Sequence, residues 1–228
     1  MSTPNDFGSR GGAPVNRELL DWLATQFRLN DYRLKPMHRL IMQTAVYQRS
    51  SDSTAIQRER DAENRWLARF SPRRLSAEEL RDSLLVASGK IDLSFGEAHP
   101  FPPTASWTFS QHAPFNAVYD TARRSVFLMV QRQRRHPYLA LFDGADPNSS
   151  TPARQTTTVP TQALYFLNDP FFHEQSVLTA KRTRQQDSAT DRISWVFWRL
   201  LQREPLAKER AIARQFLDAY PGSEDERW

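Results

Sequence analysis

The residues able to do chemistry concentrate between His112 and Gln162. That stretch holds two imidazoles, His112 and His136, three carboxylates, Asp120, Asp143 and Asp146, and the arginines Arg123, Arg124, Arg132, Arg134, Arg135 and Arg154. Asn148, Thr157, Thr158 and Gln162 add neutral hydrogen-bonding groups. Guanidinium forks suit a carboxylate, sulfate or phosphate ligand. An imidazole or carboxylate beside a bound ester or sugar suits hydrolysis or elimination. On that chemistry His112, Arg124 and Asp143 are the catalytic candidates. Arg123, Arg132, Asp146, Asn148, Thr158 and Gln162 are the ligand-binding ones. A structural reading stands beside this, because Asp-Gly and Asp-Pro-Asn are turn formers first. The spacing of Asp143, Asp146 and Asn148 also lacks the glycine and terminal glutamate of a calcium loop.

A second cluster lies at helical spacing. Glu78 is four residues from both Arg74 and Asp82 and three from Arg81, so one helix would gather all four on one side. A buried acid held by arginines would look like this. So would a structural ion network tying a helix to a loop, which is the reading adopted for Arg74, Glu78, Arg81 and Asp82.

Several chemistries are excluded by composition. The 228 residues contain no cysteine, so disulfides, thiolate metal sites, a cysteine nucleophile and covalent haem attachment are absent from this chain. The five histidines, at 38, 99, 112, 136 and 173, are too far apart for a local zinc motif, and no metal site is expected. His38, beside Met37 and Leu40, reads as a core histidine. No phosphate-binding glycine loop, nucleophile elbow or His-Glu-x-x-His helix occurs. No run of 18 apolar residues offers a membrane span, and the polar first dozen residues carry no secretory leader. The net charge is +5, and of 31 basic residues only Lys35, Lys90, Lys181 and Lys208 are lysine; 31 less four leaves 27 arginines. They are interspersed with 26 acidic residues rather than gathered in a stripe, which argues against nucleic acid as the partner.

The elements that must position these groups are mostly helical. Asn16 caps a helix with Leu19, Leu20, Leu23 and Phe27 on one face, and Val15 and Leu20 can staple its start. A second helix opens at Pro36 and packs back on the first. Residues 50–60 read as a loop, after which Asp61 caps a helix through Trp66, Leu67 and Phe70. Ser76 and Glu79 form a capping box ahead of Leu80, Leu84 and Leu85, with Gly89 as a left-handed stop. From 92 to 125 the prolines at 100, 102, 103 and 114 forbid a long helix. Interleaved aromatics there imply ordered irregular chain pinned on the core. Val126–Val130 is the one apolar, β-branched run that predicts a strand. Residues 143–158 form a loop, and helices resume at 161–167, break at Asn168-Asp169-Pro170 and run on to about 184. Two amphipathic helices close the chain, lined by Ile193, Val196, Phe197, Leu200 and Leu201, then by Ile212, Phe216, Leu217 and Tyr220. The expected fold is therefore mainly α: an irregular helical domain with a long proline- and aromatic-rich insertion and at most one or two short strands. It reads as a single domain over 1–220, with helical parts at 15–90 and 160–220 around an irregular middle at 92–158, then a tail at 221–228.

Six ordered stretches carry a family resemblance. They are Thr3-Pro-Asn-Asp-Phe-Gly8 with Pro14-x-x-x-Glu-Leu-Leu-Asp-Trp-Leu-Ala24; Arg73-Arg-Leu-x-Ala-Glu-x-Leu-Arg-Asp-Ser83; Arg124-Ser-Val126; Leu141-Phe-Asp-Gly-Ala-Asp-Pro-Asn148; Thr158-Val-Pro-Thr-Gln-Ala-Leu164; and Leu167-Asn-Asp-Pro-Phe171. From Thr3 to about Tyr220 the chain resembles the planctomycete-specific domain of unknown function 1553. The resemblance implies the C-terminal part of long exported proteins, with a cytochrome-c-like domain that carries haem c upstream. It also implies an exported or periplasmic setting. Against that pattern this chain lacks the helical stretch ahead of Thr3, so it reads as N-terminally incomplete, and partners would be the upstream half of the domain or a cytochrome-c-like protein.

Four functions compete. The preferred one is a helical accessory or ligand-binding domain of an exported haem-linked assembly, with polysaccharide as the ligand class. The others are a hydrolase or lyase with a His/Asp/Arg site in 112–162, a basic nucleic-acid or interaction module, and a truncated fragment without independent function.

Overall fold

The computed structural model describes residues 3, 5–6, 8–96, 118–132 and 134–222. The prolines and aromatics between 100 and 115, together with His99 and His112, lie outside them. The described chain is mainly helical, as the periodicity and caps require, and falls into two compact units, Met1–Arg74 and Leu75–Trp228.

In the first unit α1 (Arg17–Leu29) starts where Asn16 Oδ1 accepts from the Leu19 amide at 2.9 Å. Two successive left-handed residues, Asp31 and Tyr32, turn the chain into α2 (Leu34–Met42). That helix begins two residues before Pro36, which sits in the first turn where its missing N–H costs nothing. Residues 55–60 are not loop but a short helix, α3 (Ala55–Arg60), begun by a capping box between Thr54 and Gln57. Conversely, Asp61 starts no helix. It ends α3, and its carboxylate accepts from the Arg65 and Trp66 amides, while Asn64 and Leu67 take left-handed φ values that no helix accommodates. These amides, Trp66 first, hold the Asp61 carboxyl below its ordinary pKa. Among the described residues of this unit Met37 is the buried apolar side chain, and Asp61 and Asn64 are buried polar ones.

The second unit is built around α4 (Ala77–Ser88). Its capping box is made, with Ser76 Oγ accepting from the Glu79 amide and Glu79 Oε2 from the Ser76 amide. Ala77, Arg81, Leu85 and Ser88 recur at i, i+4, i+8 and i+11, so one face is buried. Ala77 meets an aromatic cluster from α5 (Pro137–Leu141) and α6 (Pro160–Asn168), with Tyr138, Phe142, Tyr165 and Phe166 stacked tilted or edge-on. The Tyr138 hydroxyl donates to the Ala77 carbonyl at 2.9 Å. Along its length α4 packs on α7 (Pro170–Thr183), where Ser88 Oγ donates to Gln175 Oε1 at 2.7 Å in the buried seam.

The C-terminus of α4 is closed by cations. Arg182 Nη1 donates to the carbonyls of Val86 (3.2 Å) and Ala87 (2.8 Å), and Arg199, on α8 (Ala189–Leu201), donates to Val86 as well. These are the orphan carbonyls that a helix end must satisfy. Beyond α8, α9 (Ala207–Ala219) opens where Glu209 accepts from both Arg203 nitrogens and the Leu206 amide, which holds its carboxyl down at about 2.

Val126–Val130 is not a strand. Ser125–Phe127 forms a 3₁₀ turn, Leu128 is extended, and among the described residues the only bridge is an isolated parallel one, Asp92 to Arg123. The run has strand propensity but no neighbouring strand to pair with, and Asp82 captures the Ser125 amide instead.

Gly89 ends α4 at φ +79°, and a Cβ there would lie 2.8 Å from Arg182 Nη1. Gly89→Ala is therefore expected to cost about 1–2 kcal/mol from the left-handed backbone alone. A lower Tm in calorimetry checks it, and an unchanged Tm contradicts the left-handed stop.

Candidate functional site

Arg81 organises the site. Its side chain is buried, with 7% of the residue exposed. Nη1 donates to the Arg123 carbonyl at 3.0 Å and to Ser125 Oγ at 3.3 Å, and Nη2 donates to the Thr121 carbonyl. Asp82 Oδ1 accepts from both the amide and the hydroxyl of Ser125 at 2.7 Å. Two neighbouring helical side chains thus clamp residues 121–125 onto α4. The guanidinium also lies over the Phe171 ring, 5.3 Å from its centroid. Burial lowers the Arg81 pKa, opposed by the negative charge of Asp82.

Beside this clamp lies a cleft of about 640 Å³. Its aromatic walls are Tyr119, Tyr138, Tyr165 and Phe171, and its polar groups are Lys90, Asp120, His136, Asp169, Glu174 and Gln175. Asp169 is partly committed, since Oδ1 accepts from the Phe171 and Phe172 amides and caps α7. Phe171, Glu174 and Gln175 reach the cleft because i, i+3 and i+4 share one face of α7. Burial, then the nearby Arg81 charge, lowers the His136 pKa, which favours the neutral imidazole. Among the described residues its Nδ1 is buried without a hydrogen-bond partner. Burial raises both phenols, with Tyr165 adding to the effect at Tyr138 and Asp169 at Tyr165, so neither ionises near neutrality. The cleft can therefore stack apolar ring faces and exchange hydrogen bonds through neutral and anionic groups.

The sequence candidates are placed as follows. His112 lies outside the described residues. Asp143, at left-handed φ 59°, accepts from the amide (2.8 Å) and hydroxyl (2.9 Å) of Thr157 and ties the loop that α6 follows. Arg124 is exposed on a second, wider groove, and among the described residues no hydrogen bond or ion pair joins it to Asp143. Arg123 Nε faces Asp92 Oδ2 at 3.5 Å. Asn148 takes its amide to Asp146 Oδ1 and gives Nδ2 to the carbonyl of the exposed Arg132, both at 2.9 Å. Arg135 Nη2 donates to the Gly144 carbonyl. Gln162 is buried and donates to the Leu141 carbonyl at 2.9 Å, and Thr158 is exposed. In the second cluster, Arg81 and Asp82 form the clamp, and Glu78 pairs with Arg154 at 3.0 Å. Arg74 is exposed on the first unit, its carbonyl accepting from Arg73 Nη1.

From the 112–162 stretch, Asp120 and His136 line the cleft together. Sequence reasoning missed Tyr138, Tyr165, Phe171 and Glu174. The available signal was the Leu167-Asn-Asp-Pro-Phe171 stretch, which holds the α7 cap and the ring beneath Arg81. Among the described residues no three His, Asp or Glu side chains gather as metal donors. With no cysteine, the chain has no covalent haem attachment.

A family model described as PSD1, protein of unknown function (DUF1553), matches residues 1–217. No curated protein matches the chain, and no solved structure does. The chain belongs to the DUF1553 family.

Arg81→Met keeps the apolar stem but strands the carbonyls of Thr121 and Arg123 and leaves Asp82 without its neighbouring cation. The expected loss is about 3 kcal/mol, read as a lower urea midpoint at unchanged slope. Arg81→Lys, which lacks the planar fork, should restore only part of it. A midpoint for Arg81→Met equal to that of the unaltered chain contradicts the clamp.

Proposed function

We propose that this chain is a ligand-binding accessory domain whose cleft beside Arg81 takes a neutral, polyhydroxylated ligand of the oligosaccharide class. The observation that carries this reading is the pairing of aromatic walls with open carboxylates in one cleft. Tyr119, Tyr165 and Phe171 supply flat apolar surface, and Asp120 and Glu174 supply acceptors for hydroxyl groups. An anionic ligand fits less well. Arg81, the one buried cation among the described residues, has its donors committed to backbone carbonyls and Ser125, and the remaining charged lining is Lys90 against three carboxylates. The hydrolase or lyase reading draws less support, because the Asp143 carboxylate serves Thr157 and Arg124 faces another groove.

The resemblance to C-terminal domains of planctomycete proteins supports placing this domain in an exported, haem-linked assembly, next to a cytochrome-c-like partner that carries the haem. Cell fractionation with an antibody against the chain tests the setting: recovery outside the cytoplasm is expected, and purely cytoplasmic recovery removes it.

The ligand is tested by titrating folded protein with neutral β-linked oligosaccharides and with heparin, following ligand-observed NMR. Neutral oligosaccharides are expected to bind, heparin to bind more weakly, and Glu174→Gln to weaken neutral-sugar binding by about two- to tenfold, because a neutral amide oxygen replaces a charged acceptor. Absence of binding to any neutral glycan by well-folded protein, or an undiminished affinity in Glu174→Gln, overturns the reading.

A further inference from the structure

Gln175, on α7, is 3% exposed and lines the cleft beside Arg81. Ser88 Oγ donates to its Oε1 at 2.7 Å, which fixes the side-chain amide with its oxygen turned to α4. The other end of that amide, Nε2, donates to nothing among the described residues, and unlike His136 Nδ1 it is not closed off from solvent. A donor held in a buried side chain without an acceptor is unfavourable, and an acceptor on a bound ligand would remove that cost.

Two further groups stand on the same turn of α7. Glu174 is exposed and makes no hydrogen bond or ion pair among the described residues, so its carboxylate is an open acceptor. Phe171 is partly buried and gives the cleft an aromatic surface. Viewed down the helix, Phe171 lies between the other two, with Glu174 about 60° to one side and Gln175 about 40° to the other. One helical turn therefore presents an apolar ring flanked by an acceptor and a neutral donor.

We infer that Gln175 is the specificity-determining residue of this cleft, and that the oligosaccharide it selects carries 2-acetamido groups. Gln175 Nε2 donates to the acetamido carbonyl, Glu174 accepts from its N–H, and its methyl rests on Phe171. In a trans secondary amide the C=O and N–H point in opposite directions, which suits a donor and an acceptor on either side of a ring. Hydroxyl and ring oxygens also accept from an amide, but they leave the ring or Glu174 without a complement. A uronic carboxylate would meet Asp120, Asp169 and Glu174 against Lys90 alone. The inference rests on the oligosaccharide reading given above and adds to it the group that is recognised.

The test titrates the full chain with two β-1,4-linked trisaccharides, one of N-acetylglucosamine and one of glucose, which differ only in the group at C2. Expected is a preference of about tenfold for the acetamido trimer, the discrimination exerted by a site built around a hydrogen bond. The acetamido methyl should receive the largest saturation transfer in ligand-observed NMR. In Gln175→Met the preference should fall to within about twofold. Methionine keeps the length of the side chain, and Ser88 Oγ retains the Leu85 carbonyl at 3.1 Å, so the variant should keep the circular dichroism of the unaltered protein. Should it not fold, the trimer preference and the methyl saturation of the unaltered chain still decide. Binding of the glucose trimer as tightly as the acetamido trimer, a preference undiminished in Gln175→Met, or methyl saturation no greater than that of the ring protons overturns the inference and leaves the oligosaccharide reading standing. Failure of both trimers to bind overturns the inference, and failure of every other neutral glycan as well overturns that reading with it.

Discussion

A guanidinium cannot leave water unless its donors find acceptors, and that constraint at Arg81 shapes the second unit. Desolvating the charge costs several kcal/mol. The cost is offset by charge-assisted bonds to two carbonyls and a hydroxyl, by the neighbouring Asp82, and by the Phe171 ring. Those acceptors lie some forty residues downstream of Arg81. The arginine therefore fixes where residues 121–125 sit against α4, and with them the start of both recesses. Apolar packing alone would not specify this so narrowly, since a Leu tolerates sliding and a forked donor facing three acceptors does not.

With that loop clamped, α4 separates two surfaces of different character. Its buried side faces α7 and the aromatic cluster and contributes Arg81 and Leu85 to the cleft; an adjacent side contributes Leu84 and Leu80, which also packs against the aromatic cluster, to the groove. Leu128 lines both recesses, as it must if the segment after the clamp runs along the helix. The helix itself is held at both ends. A capping box satisfies its first amides, and arginines from α7 and α8 satisfy its last carbonyls, so both walls rest on an element whose ends are closed.

The arginine excess acquires a physical meaning from these contacts. Arg49, Arg69, Arg81, Arg135, Arg182 and Arg199 all spend donors on main-chain carbonyls, in turns and at a helix end. A protein with little regular sheet leaves many carbonyls without backbone partners, and long planar donors reach them. A high arginine count in such a chain is compatible with structural use throughout and does not by itself indicate a polyanion.

What the sequence determined by itself was local. Capping chemistry at Asn16 and at Ser76–Glu79, the left-handed stop at Gly89, the break at Asn168-Asp169-Pro170 and the apolar stripes of the last two helices each depend on residues within a few positions, and each stands in the structure. The mainly helical class followed from them. The short capping box at Thr54–Gln57 was equally local, but it starts a helix of only 6 residues, and Ile56, its one large apolar residue, makes no stripe to announce it. Tertiary structure decided the rest. Val126–Val130 had strand propensity and no strand to meet, so propensity lost to pairing. The polar residues of 143–162 were legible as turn formers or as ligand groups, and only the positions of Thr157, Leu141 and Arg132 reveal the bonds they make. The cleft draws on α4, α5, α6, α7 and the clamped loop, and no spacing along the chain encodes which of their faces meet. That is set by where a buried arginine finds its acceptors, a condition fixed only when distant segments come together.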